Sequence, residues 1–173
     1  MQADNELIIQ RERPSDHDEI TQVIQLAFND APYSDQQEHL IVQALRDAGA
    51  LELAIIARIG SDIVGFAAIS PVQISDGAEQ WYGLGPIAVL PGFQGQGIGS
   101  MLVDEALSGL KARGTAGCVV LGDPDFYSRF GFEPDRRLEF ANFDPEFFQS
   151  IRFDNSPAQG EVTYHPAFYS QTG

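Results

Sequence analysis

Four glycines stand within eight residues, at Gly92, Gly95, Gly97 and Gly99. An apolar segment over 84–90, holding Gly85 and Pro86, leads into them, and apolar residues at helical spacing follow over 101–110. That order reads as strand, turn, helix. With few Cβ atoms in the way, such a turn curls tightly and points several N–H groups at one spot. The helix adds the positive end of its dipole to the same spot. The chemistry this favours is anion binding, of a phosphate or pyrophosphate. The alternative is a turn that does no more than join a strand to a helix.

Phosphate loops differ in what accompanies their glycines. A P-loop needs Gly-x-x-x-x-Gly-Lys-Ser/Thr; Gly92 and Gly97 have the spacing, but Ile98 holds the lysine position. A dinucleotide fingerprint needs Gly-x-Gly-x-x-Gly; Gly95 and Gly97 fit, but Ser100 stands third. The pattern Gln/Arg-x-x-Gly-x-Gly/Ala is met in full by Gln94-Gly95-Gln96-Gly97-Ile98-Gly99. With Val89 and Pro91 upstream, the stretch resembles the acetyl-CoA pyrophosphate loop of the GNAT family of N-acetyltransferases. The resemblance implies that Gln94, Gly95, Gln96, Gly97, Ile98 and Gly99 hold the pyrophosphate. Ser100 follows either as a hydroxyl donor to a phosphate or as an ordinary first-turn residue. The resemblance also implies an α/β (α+β) fold with a mixed, mostly antiparallel sheet flanked by helices. Its strands over 81–90 and 116–121 would splay apart in a V. Acetyl-CoA would lie there, its pantetheine amides paired with the backbone of Ile87, Ala88 and Val89, as an added strand pairs with an open edge.

A second cluster runs from Gly122 to Phe132. Within it, Tyr127-Ser128-Arg129-Phe130-Gly131-Phe132 resembles the Tyr-x-x-x-Gly-Phe element of the same family. The resemblance implies that Tyr127 is the general acid for the leaving CoA thiolate. A phenol has a pKa of about 10 and a thiol of about 8.5. A hydroxyl beside the sulfur therefore hydrogen-bonds or protonates it as charge develops. Taken alone, Tyr127 would read as an amphipathic residue with its hydroxyl on any nearby partner. The resemblance is good over 55–132 and looser before it. The ending over 160–168 is similar to the YhbS-like bacterial branch of the family.

The chain departs from the family pattern twice. Many relatives carry a glutamate on the strand before the loop as general base for the amine. Here Tyr82-Gly83-Leu84-Gly85 holds no carboxylate, and Glu79 lies upstream. An ammonium must lose a proton before it attacks, and the sequence names no base for it. Relatives also often carry an asparagine before the tyrosine element, where Val119, Val120 and Leu121 stand here.

The elements that position these residues follow from pattern. Strands are expected over 6–11, 51–59, 63–69, 81–90 and 116–121, with a turn at Gly60-Ser61-Asp62 and looser chain over 71–77. Ser15 is a candidate cap for a helix carrying Ile20, Val23, Ile24, Ala27 and Phe28. Asp35 is a candidate cap for a second, with Leu40, Ile41, Ala44 and Leu45 on one face. Met101, Leu102, Ala106, Leu107 and Leu110 make the apolar face of the helix after the loop, and Gly114 ends it. The strand over 116–121 should run parallel to the one over 81–90, by the right-handed crossover rule. A short helical segment is expected over 125–130, and strands at 151–153 and 161–164. One domain over 1–173 is expected, with 133–173 packed on its core.

The whole chain narrows the partners. Ten basic against twenty-five acidic residues give a net charge of −15. That argues against nucleic acid or an anionic membrane and is compatible with a cationic amine, or simply with solubility or adaptation to the host's salt. The acidity means that backbone dipoles must attract the polyanion CoA against the global field. Cys118, in an apolar run, reads as a buried thiol. His17, His39 and His165 lack metal-ligand spacing, so no metal is expected. Met1–Glu6 shows no signal-peptide pattern and no run is long enough to span a membrane, so a cytoplasmic location is expected.

Together these readings give an acetyl-CoA-dependent N-acetyltransferase that moves acetyl to a primary amine by direct attack. The alternative is a CoA-binding sensor or interaction module with little turnover, motivated by the missing carboxylate. The acceptor wall is expected from 28–35, 71–80 and part of the tail. The acceptor's identity and the choice between monomer and homodimer stay open.

Overall fold

Alternating and β-branched residues after Leu51 build a long hairpin. Its strands β2 (Leu53–Ile59) and β3 (Asp62–Ile74) turn at Gly60, whose φ is 61°. The structure, a computed structural model, describes residues 6–32 and 34–170. Most of the polar stretch Met1–Glu6, and Tyr33 within the expected acceptor wall, lie outside the described residues. β1 (Leu7–Arg11) pairs antiparallel with β2. β3 does not loosen at Pro71 as expected. Pro71 is where the strand changes partners, so its missing N–H falls at the handover. Ser70 and Pro71 pair with β4 (Trp81–Val89), and Val72 to Ile74 pair with β9 (Gly160–Tyr164).

Two helices, α1 (His17–Phe28) and α2 (Glu38–Asp47), cover one face. Neither expected cap does that work. Asp16, not Ser15, organises the entry to α1: its carboxylate accepts the Arg13 N–H at 2.9 Å. Asp35 accepts the Gln37 N–H at 3.1 Å and so makes a turn just ahead of α2. From a start at Glu38, α2 buries Val42 and Leu45 and leaves Leu40 exposed, so its inward face is rotated from the expected one. Ile20, Val23 and Ile24 of α1 pack with Ile56, Phe66 and Ala88 of the sheet.

After β4 the chain forms the glycine loop, then α3 (Ile98–Ala112) and β5 (Gly117–Leu121), which runs parallel to β4. α3 starts at Ile98, earlier than the expected 101. It buries Ile98, Leu102, Val103, Ala106, Leu107 and Leu110 on the opposite face of the sheet, while Met101 points outward. α4 (Pro124–Tyr127) and a tight turn over Ser128–Phe130 end at Gly131, with φ 100°.

The tail joins the sheet more fully than its periodicity foretold. β8 (Phe148–Arg152) pairs with β5, β6 (Glu133–Pro134) with β8, and β7 (Leu138–Glu139) with β9. The sheet order is β1-β2-β3-β4-β5-β8-β6. Among the described residues only β4–β5 and β7–β9 are parallel, so the sheet is mixed and mostly antiparallel. α5 (Ala167–Ser170) lies near α2.

Candidate active site

The cleft begins where two strands stop pairing. β4 and β5 are joined from Trp81↔Gly117 to Gly83↔Val119 and no further. On its other edge β4 stays paired with β3, but the register slips between Ala67↔Ile87 and Ile69↔Leu84. β4 therefore carries an extra residue at Gly85–Pro86. Such a bulge bends the strand that carries it, and Pro86 has no N–H to offer a neighbour. β5 meanwhile holds to β8 as far as Leu121↔Phe148. The strands part in a V.

The backbone past the bulge is oriented by one bond. The Leu90 N–H donates to the Val64 carbonyl of β3 at 2.9 Å. Antiparallel alternation then commits Ala88 to β3 and turns the N–H and C=O groups of Ile87 and Val89 to the open edge. The Val89 carbonyl is already taken there: the Gln94 side-chain amide donates to it at 3.0 Å. Gln96 donates to the Gly92 carbonyl at 3.4 Å. The loop's two glutamines thus brace it from within.

Gly95 (φ 77°) and Gly97 (φ 86°) take the left-handed conformation that only glycine adopts without strain. A Cβ at Gly92, Gly95 or Gly97 would meet no protein atom within 4 Å, so the front of the loop is open to a ligand. Gly97 is the N-cap of α3 and no side chain caps that helix. The first-turn N–H groups at Ile98, Gly99 and Ser100 lie beyond this uncapped start, where the dipole is positive. The residues fit the phosphates of a CoA.

Tyr127 comes from the other arm of the V. Asp123 caps α4 by accepting the Asp125 N–H at 2.9 Å, with Pro124 at the first helical position. The half-buried Tyr127 ring lies across Gly122, where a Cβ would stand 2.6 Å from its Cε2. It meets Phe126 edge-on at 4.9 Å and Phe132 at 5.9 Å. Phe126 also comes within 3.7 Å of the Cβ position of Gly99. The helix bearing Tyr127 is therefore docked on the first turn of α3, and the two sequence clusters form one site.

Sequence reasoning missed Tyr164. Its ring occupies the space a side chain at Gly83 would need, at the point where the V opens. It is buried, and burial pushes its hydroxyl pKa up, with Cys118, Tyr169 and Tyr127 near enough to add to the effect. The phenol stays neutral. No local signal marked it, because its place depends on β9 pairing with β3. Gln149 was missed as well: this buried amide donates to the Gly122 carbonyl at 3.2 Å, beneath Tyr127.

Other chemistry-bearing side chains lie away from the site. Glu79 is exposed in the turn before β4, beside Asp76 and Asp154. A strand rises about 3.3 Å per residue, which puts it on the order of 25 Å from the loop end of β4. It is not the base. Cys118 is fully buried, and that burial pushes its thiol pKa up. Among the described residues, no cluster of His, Cys, Asp or Glu could hold a metal, and no helix is long and apolar enough to cross a membrane.

An opened β4 edge, a braced glycine loop on an uncapped helix, and a tyrosine on the facing arm define an acyltransferase cleft. The family model for the acetyltransferase (GNAT) domain matches residues 50–134. The chain belongs to the GNAT family of N-acetyltransferases and is an acetyltransferase. Within that family it is similar to the N-acetyltransferase YhbS of Escherichia coli strain K12, 38% identical over 169 residues, covering 94% of this chain and 98% of YhbS. The crystal structure of E. coli YhbS in complex with CoA matches with a TM-score of 0.85. That superposition aligns 33% identical residues over 94% of this chain and 92% of the other. A GNAT family acetyltransferase from Brucella melitensis, in complex with acetyl-CoA, also has a TM-score of 0.85. It is 43% identical and the match covers 95% of this chain and 99% of that one.

Proposed function

We propose that this acetyltransferase takes acetyl-CoA as donor and passes its acetyl group to a primary amine by direct attack, with 1–173 acting as one domain. The observation that carries the reading is the bulge at Gly85–Pro86, which leaves the Val89 N–H on an unpaired edge beside the uncapped start of α3. The Brucella relative's acetyl-CoA complex supports the choice of donor. In this reading the N–H groups of Gly95, Gln96, Gly97, Ile98, Gly99 and Ser100 bind pyrophosphate, with Gln94 and Gln96 bracing the loop. Ile87 and Val89 pair with the pantetheine arm, and Ala88 holds their strand to β3. The Val89 N–H polarises the thioester carbonyl. The amine nitrogen bonds to the carbonyl carbon, the C–S bond breaks, and the Tyr127 hydroxyl gives its proton to the departing sulfur. The proton lost by the amine leaves through solvent, since no carboxylate lies on the β4 stretch that faces the cleft. The cytoplasmic location expected from the sequence belongs to the same reading.

Free-thiol release from acetyl-CoA across a panel of primary amines tests it. Thiol release above the amine-free background with at least one amine is expected. Tight CoA binding with no such release would instead make the chain a CoA-binding sensor.

A further inference from the structure

Away from the loop, the C-terminal segment encloses a cavity of about 680 Å³. One wall is a column of phenylalanines: Phe140 stacks on Phe143 at 5.0 Å and on Phe148 at 5.4 Å. Phe143, at the mouth, is 50% exposed. Glu139, Asp144, Glu146 and Glu161 line the same cavity. Glu139 and Glu161 are register partners in the parallel β7–β9 pair, and both are exposed. Like charges side by side repel, and a cation between them removes that cost. Asp135 also lines the cavity, but it is spent on Arg137 and Arg152, each at 2.9 Å. Asp144 accepts the Glu146 N–H at 3.3 Å, and Arg136 is the one cation among the lining residues, against the carboxylates of Glu139, Glu146 and Glu161. An aromatic wall with a carboxylate rim is the chemistry that recognises an organic ammonium.

The cavity adjoins the cleft. Phe140 meets Tyr164 edge-on at 5.1 Å, and Tyr164 lies over Gly83 at the apex of the V. A single ring separates the cavity wall from the place where the strands part.

We propose that this cavity seats the second ammonium of an acceptor that carries at least two. The inference rests on the acetyltransferase reading. The amine that attacks sheds its proton in the V, while the other keeps its charge at the rim. An acceptor with one nitrogen cannot reach the carboxylates while that nitrogen stands at the thioester. The net charge of −15 draws such a polycation in from solution.

Calorimetric titration at low ionic strength tests this with two probes, diaminooctane and octylamine, alongside CoA. The chain should bind diaminooctane about tenfold or more tighter than octylamine, one ammonium–carboxylate interaction apart. The Glu139→Gln/Glu161→Gln variant should lose that margin and keep its CoA affinity, because both positions are exposed and the amides are isosteric. Phe143→Ala should weaken both probes together. Equal or undetectable affinities in the unmodified chain, a margin retained in the double variant, or no effect of Phe143→Ala would each overturn the proposal. A chain that binds no CoA overturns the acetyltransferase reading instead, and leaves the diamine margin to be judged by itself.

Discussion

Tyr127 rests on a position that has no side chain. Gly122 is not there for its φ but for the room it leaves, since a Cβ would stand 2.6 Å from the ring. Gly122→Ala should therefore move the ring without unfolding the protein. The expected result is lowered turnover at near-normal CoA affinity, read by steady-state kinetics beside a melting curve. Tyr127→Phe makes the complementary change. It keeps the ring contacts with Phe126 and Phe132 and removes the hydroxyl. Turnover should fall by about 10²–10⁴, the usual span for a general acid. The loss should appear in kcat and kcat/KM together, because the interaction grows only as the C–S bond breaks. It should shrink with a thioester of a more acidic thiol. A phenylalanine variant with near-normal kcat, chemistry being rate-limiting, would make Tyr127 a packing residue.

At the scale of the element, the loop is shaped before any ligand reaches it. Gly97 has a φ of 86° where α3 begins. Gly97→Val should cost about 1–2 kcal/mol in backbone strain alone and also place a branched side chain on the open front of the loop. CoA affinity should drop sharply while circular dichroism stays native. Gly92, with no positive φ and open space beside it, gives the control. Gly92→Ala should leave the melting temperature unchanged. Unchanged CoA affinity in Gly97→Val would move the phosphate site elsewhere. The Gln94 brace should matter less: removing its bond to the Val89 carbonyl costs about 0.5–1.5 kcal/mol.

The whole molecule is closed by Arg152. It reaches Asp135 at 2.9 Å and the Ser156 and Ala158 carbonyls at 2.6 and 2.8 Å, and lies over the Trp81 ring at 5.3 Å. Burial opposes the charge on Asp135, but the bonds from Arg137 and Arg152 outweigh it and hold the pKa down to about 2, from 3.8. A depressed carboxylate pKa stabilises the fold fully above the unfolded value, and that stability is lost as pH falls through the folded one. Between about pH 4 and 2, melting temperature should therefore fall less steeply in Asp135→Asn than in the unmodified chain. Parallel slopes would mean that Asp135 contributes nothing specific to the fold over that window.

What the sequence determined by itself was whatever contiguous residues encode. The glycines and glutamines of 94–99 write their own loop, and the Asp123-Pro124 start and Gly131 stop write the short helix of Tyr127. Their chain order around the β4–α3–β5 crossover put both clusters at one end of the parallel pair. The family was legible for the same reason. Tertiary structure decided what depends on register. Gly85 and Pro86 were visible as an interruption, but only the pairing with β3 shows that the bulge falls just past the last β4–β5 pair. That register excludes Ala88 from the open edge and leaves Ile87 and Val89 on it. Tyr164 reaches the apex of the V because β9 continues the line that β2 leaves on β3, a pairing that no short window of sequence specifies. The face of α2 slipped for a related reason: successive helical residues stand about 100° apart, and packing on the sheet, not the local pattern, turns Val42 and Leu45 inward and Leu40 outward. The carboxylates around Phe140 are scattered along the tail as ordinary surface charge. They become a rim only when β7 and β9 lie side by side.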